Sequence, residues 1–353
     1  MDHGAAAPTR VSMASQKETE TMPGSHPELK MPARQRNPEG QPRRVGVELE
    51  MNGLTLDRLA QLVADAQRLT ITSAGRYQRE LRGDPAGDWQ VELDFNLLKE
   101  LGRETRDPED FGDDLMISAE EALKWLAETL VPLEVVSPPL PMARLGEIEE
   151  LIVLLREAGA KGTSERATNA FGMQFNPEIP STDAETLTAY LKAFLCLYDW
   201  LYVRADINIT RRLTTYVDPF PIEYVRLVVD PDYWPDTATL IDDYLMWNPN
   251  RNRALDLLPL FLHLDPTRVR DATDDPLIKP RPAFHYRLPD CEIHKPDWGL
   301  HQSWNDWIEV EALAADAARL QACCTAYMDF LHQPLIRWLG DWAAETEARW
   351  LAR

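Results

Sequence analysis

Along residues 44–52, Val45, Val47, Leu49 and Met51 alternate with Arg44, Gly46, Glu48, Glu50 and Asn52. This period of two predicts a strand with one buried face, and it puts Glu48 and Glu50 together on the other. The alternation returns at 89–96, where Trp89, Val91, Leu93 and Phe95 interleave with Gln90, Glu92, Asp94 and Asn96. Again the polar face is acidic. Residues 133–139 read as a short apolar strand whose only charge is Glu134, ended by Pro138 and Pro139. At 170–178, Phe171, Met173 and Phe175 oppose Gly172, Gln174 and Asn176. At 279–290, Phe284, Tyr286 and Leu288 oppose Arg281, Ala283, His285 and Arg287.

Helical spacing fills the intervals. Thr55 is placed to cap a helix carrying Leu59, Leu62, Val63, Ala66 and Leu69, and Ser118 with Glu121 forms a capping box for another. A helix through Leu145, Ile148, Leu151, Ile152 and Leu155 ends near Gly159, and a long amphipathic helix covers 183–202. Residues 73–88 read as a Gly-, Arg- and Asp-rich connector. The Pro-, Asp-, Trp- and Tyr-rich 218–250 reads as a lid or rim holding one helix at 237–247, and 255–264 as a short helix. From 298 onward the chain reads as helical packing surface, broken near Pro334.

Composition narrows the classes. Residues 1–42 lack an apolar period and are expected to form a disordered tail before a core of 43–297 and a helical segment of 298–353. Against 37 basic side chains stand 58 acidic ones, a net charge of −21, which argues against a nucleic-acid partner. No apolar run approaches the roughly 20 residues of a membrane span, and no secretory leader is visible, so a cytoplasmic protein without membrane contact is expected. Cys196, Cys291, Cys323 and Cys324 show no CxxC spacing and suit a reducing compartment.

The candidate chemistry lies on the polar strand faces. Carboxylates about 7 Å apart on one strand repel by about 2 kcal/mol at an effective dielectric near 20, and further acids on the same face call for protonation or a hard cation such as Mg²⁺. Read singly, Glu48 and Glu50 fit an ordinary solvated strand face, and Glu134 fits an edge-strand gatekeeper. Arg281 and Arg287 fit surface ion pairs or, alternatively, a phosphate site, because a guanidinium fork binds oxyanions bidentately. If the five strands share one sheet packed on helices, acids occupy one part of its open face and arginines another. Such a division suits metal–phosphate chemistry.

The ordered set GVELE (46–50), ELDFN (92–96), LEVVSPPL (133–140), AFGMQFNPE (170–178) and FHYRLPD (284–290) resembles the amidoligase family of the carboxylate–amine ligase superfamily, which includes glutamine synthetase and glutamate–cysteine ligase. The resemblance implies an α+β fold built on a largely antiparallel curved sheet of the glutamine synthetase catalytic-core type, packed on helices, with a helical C-terminal region. It implies Mg²⁺ held by Glu48, Glu50 and Glu134, and ATP whose transferring phosphoryl meets Arg287, assisted by Arg281 or Lys279. Gln174 and Asn176 would fill weak coordination positions or touch nucleotide. The implied reaction joins a carboxylate substrate to an amine through an acyl phosphate, in peptide or cell-surface modification, with an ATP-grasp or amidotransferase-like protein as partner.

Two motifs depart from the family pattern. Relatives carry GxHxH where this chain has Gln174 and Asn176, and E-x-R where it has His285-Tyr286-Arg287. His285 is then a metal ligand, a general base or a structural histidine. The departures motivate a second reading, a nucleotide- or peptide-binding pseudoenzyme. A third takes His285, His294 and His301 with Asp290 as a metal hydrolase site, although their spacing matches no compact ligand motif such as HExxH.

Overall fold

The computed structural model describes residues 28–73, 75, 77–94, 132–163, 171–205, 218–333 and 341–352. The alternating stretch becomes β1 (Arg44–Met51), the central strand of a nine-stranded sheet. The sheet also holds β2 (Thr70–Ser73), β3 (Gln78–Arg82), β4 (Trp89–Leu93), β5 (Leu133–Val136), β6 (Leu140–Pro141), β7 (Met173–Pro177), β8 (Leu255–Asp256) and β9 (His285–Tyr286). Its order is β2-β3-β4-β5-β1-β7-β9-β8, with β6 paired to the start of β1, and every ladder is antiparallel.

Ten helices accompany it: α1 (Leu56–Gln67), α2 (Leu145–Glu157), α3 (Ala184–Arg204), α4 (Ile222–Val229), α5 (Thr237–Trp247), α6 (Leu258–Leu264), α7 (Pro266–Ala272), α8 (Leu300–Ala314), α9 (Ala317–His332) and α10 (Trp342–Arg349) among the described residues. The protein is therefore α+β. Thr55 caps α1 by accepting from Arg58 N, and Asp183 caps α3 by accepting from Thr186 N. Gly159, just past α2, adopts a φ of +99° that other residues resist.

The apolar face of the sheet lies on α1, α3 and α8. Phe175 of β7 packs on Trp304, and Tyr286 of β9 packs on Trp307 and Phe194. All five side chains are fully or almost fully buried, so this seam fixes the height at which β7 and β9 present their polar faces.

Three expectations need correction. Residues 73–88 are not a connector; they carry the end of β2 and all of β3, an edge hairpin in which, among the described residues, only Leu81 is fully buried. An edge strand with one core contact shows too little alternation to be read. The 255–264 helix is split, since Leu255 and Asp256 form β8 before α6 begins. The 279–290 strand shrinks to two laddered residues, flanked by isolated pairings of Ala283 with Glu178 and Asp290 with Gly172. Pro280, Pro282 and Pro289 have no N–H to give a ladder.

In the 218–250 stretch, Tyr224, Val228, Leu240 and Tyr244 are completely buried. The chain is already tied down within 28–42, where Lys30 Nζ meets Glu309 Oε1 at 2.7 Å. The expected helix after Ser118, strand residues Phe95 and Asn96, and Pro334 lie outside the described residues. No helix among the described residues is long and apolar enough to cross a membrane.

Candidate active site

Register assembles the site. Gln78, Glu92, Glu134 and Glu50 are successive partners across β3, β4, β5 and β1, so three carboxylates form one row on the polar face. Glu48, one pleat along β1, pairs with Gln174 of β7, and Gly46 pairs with Asn176. On the far side of β7, His285 pairs with Asp256. This face is itself shielded: Glu50, Glu134, Gln174, Asn176 and Arg287 are each at most 9% exposed, His285 is 2% and Asp256 0%.

Burial and the charges of Glu48, Asp94, Glu50 and Glu92 hold the Glu134 carboxyl well above the usual carboxylate range. Burial, with Asp94 and Glu48 nearby, also raises Glu92. The row thus carries more negative charge than its surroundings compensate. Across β7 the balance reverses: burial, then Arg281, Arg287 and Arg251, push the His285 imidazole well below its ordinary value. The imidazole is neutral at pH 7.

A hydrogen-bonded chain joins the two halves. Glu50 Oε2 accepts from Gly172 N at 2.7 Å and its Oε1 from Gln174 Nε2 at 3.0 Å. Gln174 Oε1 faces His285 Nε2 at 2.7 Å, and His285 Nδ1 lies 3.5 Å from Asp256 Oδ2. A carboxylate accepts only, so the amide nitrogen of Gln174 must face Glu50 and its oxygen must face a donor. Nε2 of His285 therefore carries the ring proton. The Nδ1 lone pair then points at Asp256, and neither Nδ1 nor Oδ2 of Asp256 has a hydrogen-bond partner. Burial raises Asp256 to about 6, against pulls in the other direction from Leu258 N–H and from Arg287, Arg251 and Arg281.

A pH effect follows. Because the folded-state value of about 6 exceeds the ordinary aspartate value of 3.8, the folded chain binds more protons in that window. The stability this group contributes is fully present below about pH 4 and declines as pH rises through 6. Denaturant midpoints between pH 4.5 and 8 should show that decline in the natural sequence and a flatter profile in Asp256→Asn.

The remaining polar groups flank this chain. Asn176 Nδ2 donates to Glu48 Oε1 at 2.8 Å, and Arg281 Nη1 lies 3.7 Å from the same oxygen. Arg287 donates to the carbonyl of Arg251, which brings a third guanidinium to the basic side. A cavity of about 180 Å³ opens beside Glu48, lined in part by Gly46, Asn176, Glu178 and Arg281. A larger cavity of about 730 Å³ lies between α3 and the C-terminal helices, with walls such as Tyr198, Phe220 and Trp342. It touches none of the residues above.

Of the residues expected from sequence, Glu48, Glu50, Glu134, Gln174, Asn176, His285, Arg281 and Arg287 share this face. Lys279 is exposed and lines neither cavity. Glu92, Asp256 and Arg251 join the set. Glu92 was visible as part of an acidic strand face, and Asp256 as a lone acid inside the apolar run 254–262; no feature of the sequence singles out Arg251. The histidines of the hydrolase alternative are not gathered: His294 is exposed, and His301 Nδ1 meets Glu149 Oε1 at 2.8 Å beside α2.

Among the described residues no group of three or more His, Cys, Asp or Glu is drawn together as a formed metal centre. The donor chemistry of the row nevertheless suits a hard divalent cation, since Glu48, Glu92 and Glu134 offer oxygen only, and burial with crowding by like charge raises Glu134 and Glu92. Glu50 already has a donor on each oxygen.

Comparison with curated proteins and with solved structures gives no match. The family model described as "Putative amidoligase enzyme" matches residues 41–309, which span every strand of the sheet and all the side chains assembled above. The chain belongs to this amidoligase family and is, in that general sense, a ligase.

Proposed function

We propose that the protein joins a carboxylate to an amine with ATP and Mg²⁺. The observation that carries this reading is the division of one buried sheet face into a carboxylate row on β4, β5 and β1 and a guanidinium group around β9, separated by the amides of β7. Glu48 and Glu134, with Glu92 beside them and Glu50 held by its two donors, would hold Mg²⁺. That ion would supply charge neutralisation between the phosphates of ATP.

Arg287, backed by Arg251, would meet the phosphoryl group as it moves to the substrate carboxylate. In that step a carboxylate oxygen bonds to the γ-phosphorus and ADP leaves with the electron pair. The amine nitrogen then attacks the acyl carbon, the bond from that carbon to the phosphate oxygen breaks, and inorganic phosphate departs with the proton the amine loses as the amide forms. A guanidinium fixed by a backbone carbonyl needs little reorganisation as charge develops, which is the main way a site of this kind lowers a barrier. Gln174 and His285 keep Glu50 in one orientation through directed hydrogen bonds.

The test is Mg²⁺-dependent release of ADP in the presence of a panel of carboxylates and amines, with the amide product identified by mass. Turnover should fall by about a hundredfold or more in Glu48→Gln, the scale on which removal of one charge-stabilising group acts. Nucleotide binding without turnover would instead identify a pseudoenzyme, the reading favoured by the changes at positions 174, 176 and 285.

A further inference from the structure

We infer that the cavity beside Glu48 is a binding site for a small zwitterionic amino acid, the amine substrate of the proposed ligation. Binding itself does not depend on that reading; only the fate of the bound molecule does.

The walls carry two charges of each sign: Arg44 and Arg281 against Glu48 and Glu178. Glu178 is satisfied within the protein. Its oxygens accept from Asn37 Nδ2 at 3.1 Å, Arg44 N at 2.9 Å and Arg44 Nη2 at 3.2 Å. Glu48 and Arg281 are left facing one another at 3.7 Å, beyond hydrogen-bonding distance. Two atoms beside this loose pair lack partners, Nε of Arg281 and Oδ1 of Asn176. The Asn176 orientation is forced, because its nitrogen faces a carboxylate that can only accept. The side chains that wall the cavity thus hold an unsatisfied donor on the basic side and an unsatisfied acceptor on the acidic side, which a turn of Arg281 would bring to a ligand. Each is shielded from water, a state that proteins rarely leave uncompensated.

A molecule carrying both an ammonium and a carboxylate answers both. Inserted between the two side chains, its carboxylate takes the Nε and Nη donors of Arg281, and its ammonium takes Glu48 and Oδ1 of Asn176. Arg281 is about a third exposed, so its side chain can turn to admit the ligand. The walls sum to zero charge, which favours a zwitterion over a phosphate dianion or a bare cation. At roughly 30 Å³ per water, the space equals about six water molecules, which suits glycine, alanine or serine better than a nucleoside. The cavity adjoins the carboxylate row through Glu48, which places the ligand nitrogen beside the acids proposed to hold the metal.

Isothermal titration of the full chain with alanine, alaninamide and propionate tests this. Alanine should bind at least tenfold more tightly than either analogue, and Arg281→Met should abolish its advantage over alaninamide. Gly46→Val should block all three by filling the space, because a Cβ at Gly46 already meets Asn176 side-chain atoms at 3.5 to 3.6 Å, an ordinary contact that a strand accepts. Thermal midpoints of both variants establish that the fold is kept; should Gly46→Val unfold, Arg281→Met decides. Equal binding of the three ligands, no binding of alanine, or binding indifferent to Arg281→Met overturns the inference. Selective alanine binding without ADP release upholds it while removing the ligase reading, and ADP release with other amines alone does the reverse.

Discussion

Glu134→Gln should make the metal-free protein more stable and, in the same molecule, remove Mg²⁺-dependent activity. The opposed signs are what separate a ligand residue from a structural one. Glu134 is 8% exposed on β5, with Glu50 and Glu92 as its direct register partners on either side, and Glu48 and Asp94 close enough to act on its charge. A buried group whose polar needs are unmet costs about 1–3 kcal/mol, and the neutral amide of the same shape relieves the repulsion while keeping the packing. The chemical-denaturation midpoint without divalent ions should rise accordingly. Added Mg²⁺ should stabilise the natural sequence and leave the variant unmoved, since only a state that binds the ion gains from it. A drop in stability in Glu134→Gln without metal would mean that the row is compensated by protein groups and holds no ion.

Arg43→Leu should have the largest effect on folding. The Arg43 guanidinium meets Glu311 in a two-point contact, Nη1 to Oε2 at 2.7 Å and Nη2 to Oε1 at 2.8 Å, with side-chain exposures of 0% and 2%. The same carboxylate accepts from Tyr190 Oη at 2.8 Å and Trp307 Nε1 at 2.9 Å, so the residue that leads into β1 is joined to α3 and α8 at one point. Removing the guanidinium strands a buried carboxylate. Breaking one side of such a pair costs about 3–5 kcal/mol, whereas replacing both members by apolar groups is often close to neutral. Urea titration should show that loss in Arg43→Leu and recovery of only part of it in Arg43→Leu with Glu311→Leu, because the double variant still leaves Tyr190 Oη, Trp307 Nε1 and the carbonyls of Arg34 and Glu178 without these partners. Equal instability of the single and double variants would show that the surrounding hydrogen bonds and packing, rather than the ion pair, hold the junction.

Much of the central sheet is legible because strands with one buried face write their period into the chain. Val45, Val47, Leu49 and Met51 fix the side on which Glu48 and Glu50 lie, and the same logic holds for β4 and β7. The edge is not legible: β3 needs a single core residue, and β8 lies inside an apolar run that a buried helix segment would equally produce. Nor does the chain reveal that its departures from the family pattern meet. Gln174 and His285 lie 111 residues apart, yet register sets Phe175 opposite Tyr286 and so brings their polar neighbours together at 2.7 Å. With them in view, His285 on β9 and Gln174 on β7 form one hydrogen-bonded unit, Asn176 joins Glu48 instead, and Asp256 on β8 adds an acid beside His285. The motifs record each change separately; pairing of the strands supplies their relation.

The most direct measurement is the anomalous diffraction of crystals of the full chain grown with Mn²⁺ and a non-hydrolysable ATP analogue. The expected result is a manganese peak bounded by the carboxylates of Glu48 and Glu134, with the analogue's terminal phosphate turned toward Arg287. A peak elsewhere, or none at saturating Mn²⁺ while the nucleotide is bound, would contradict it.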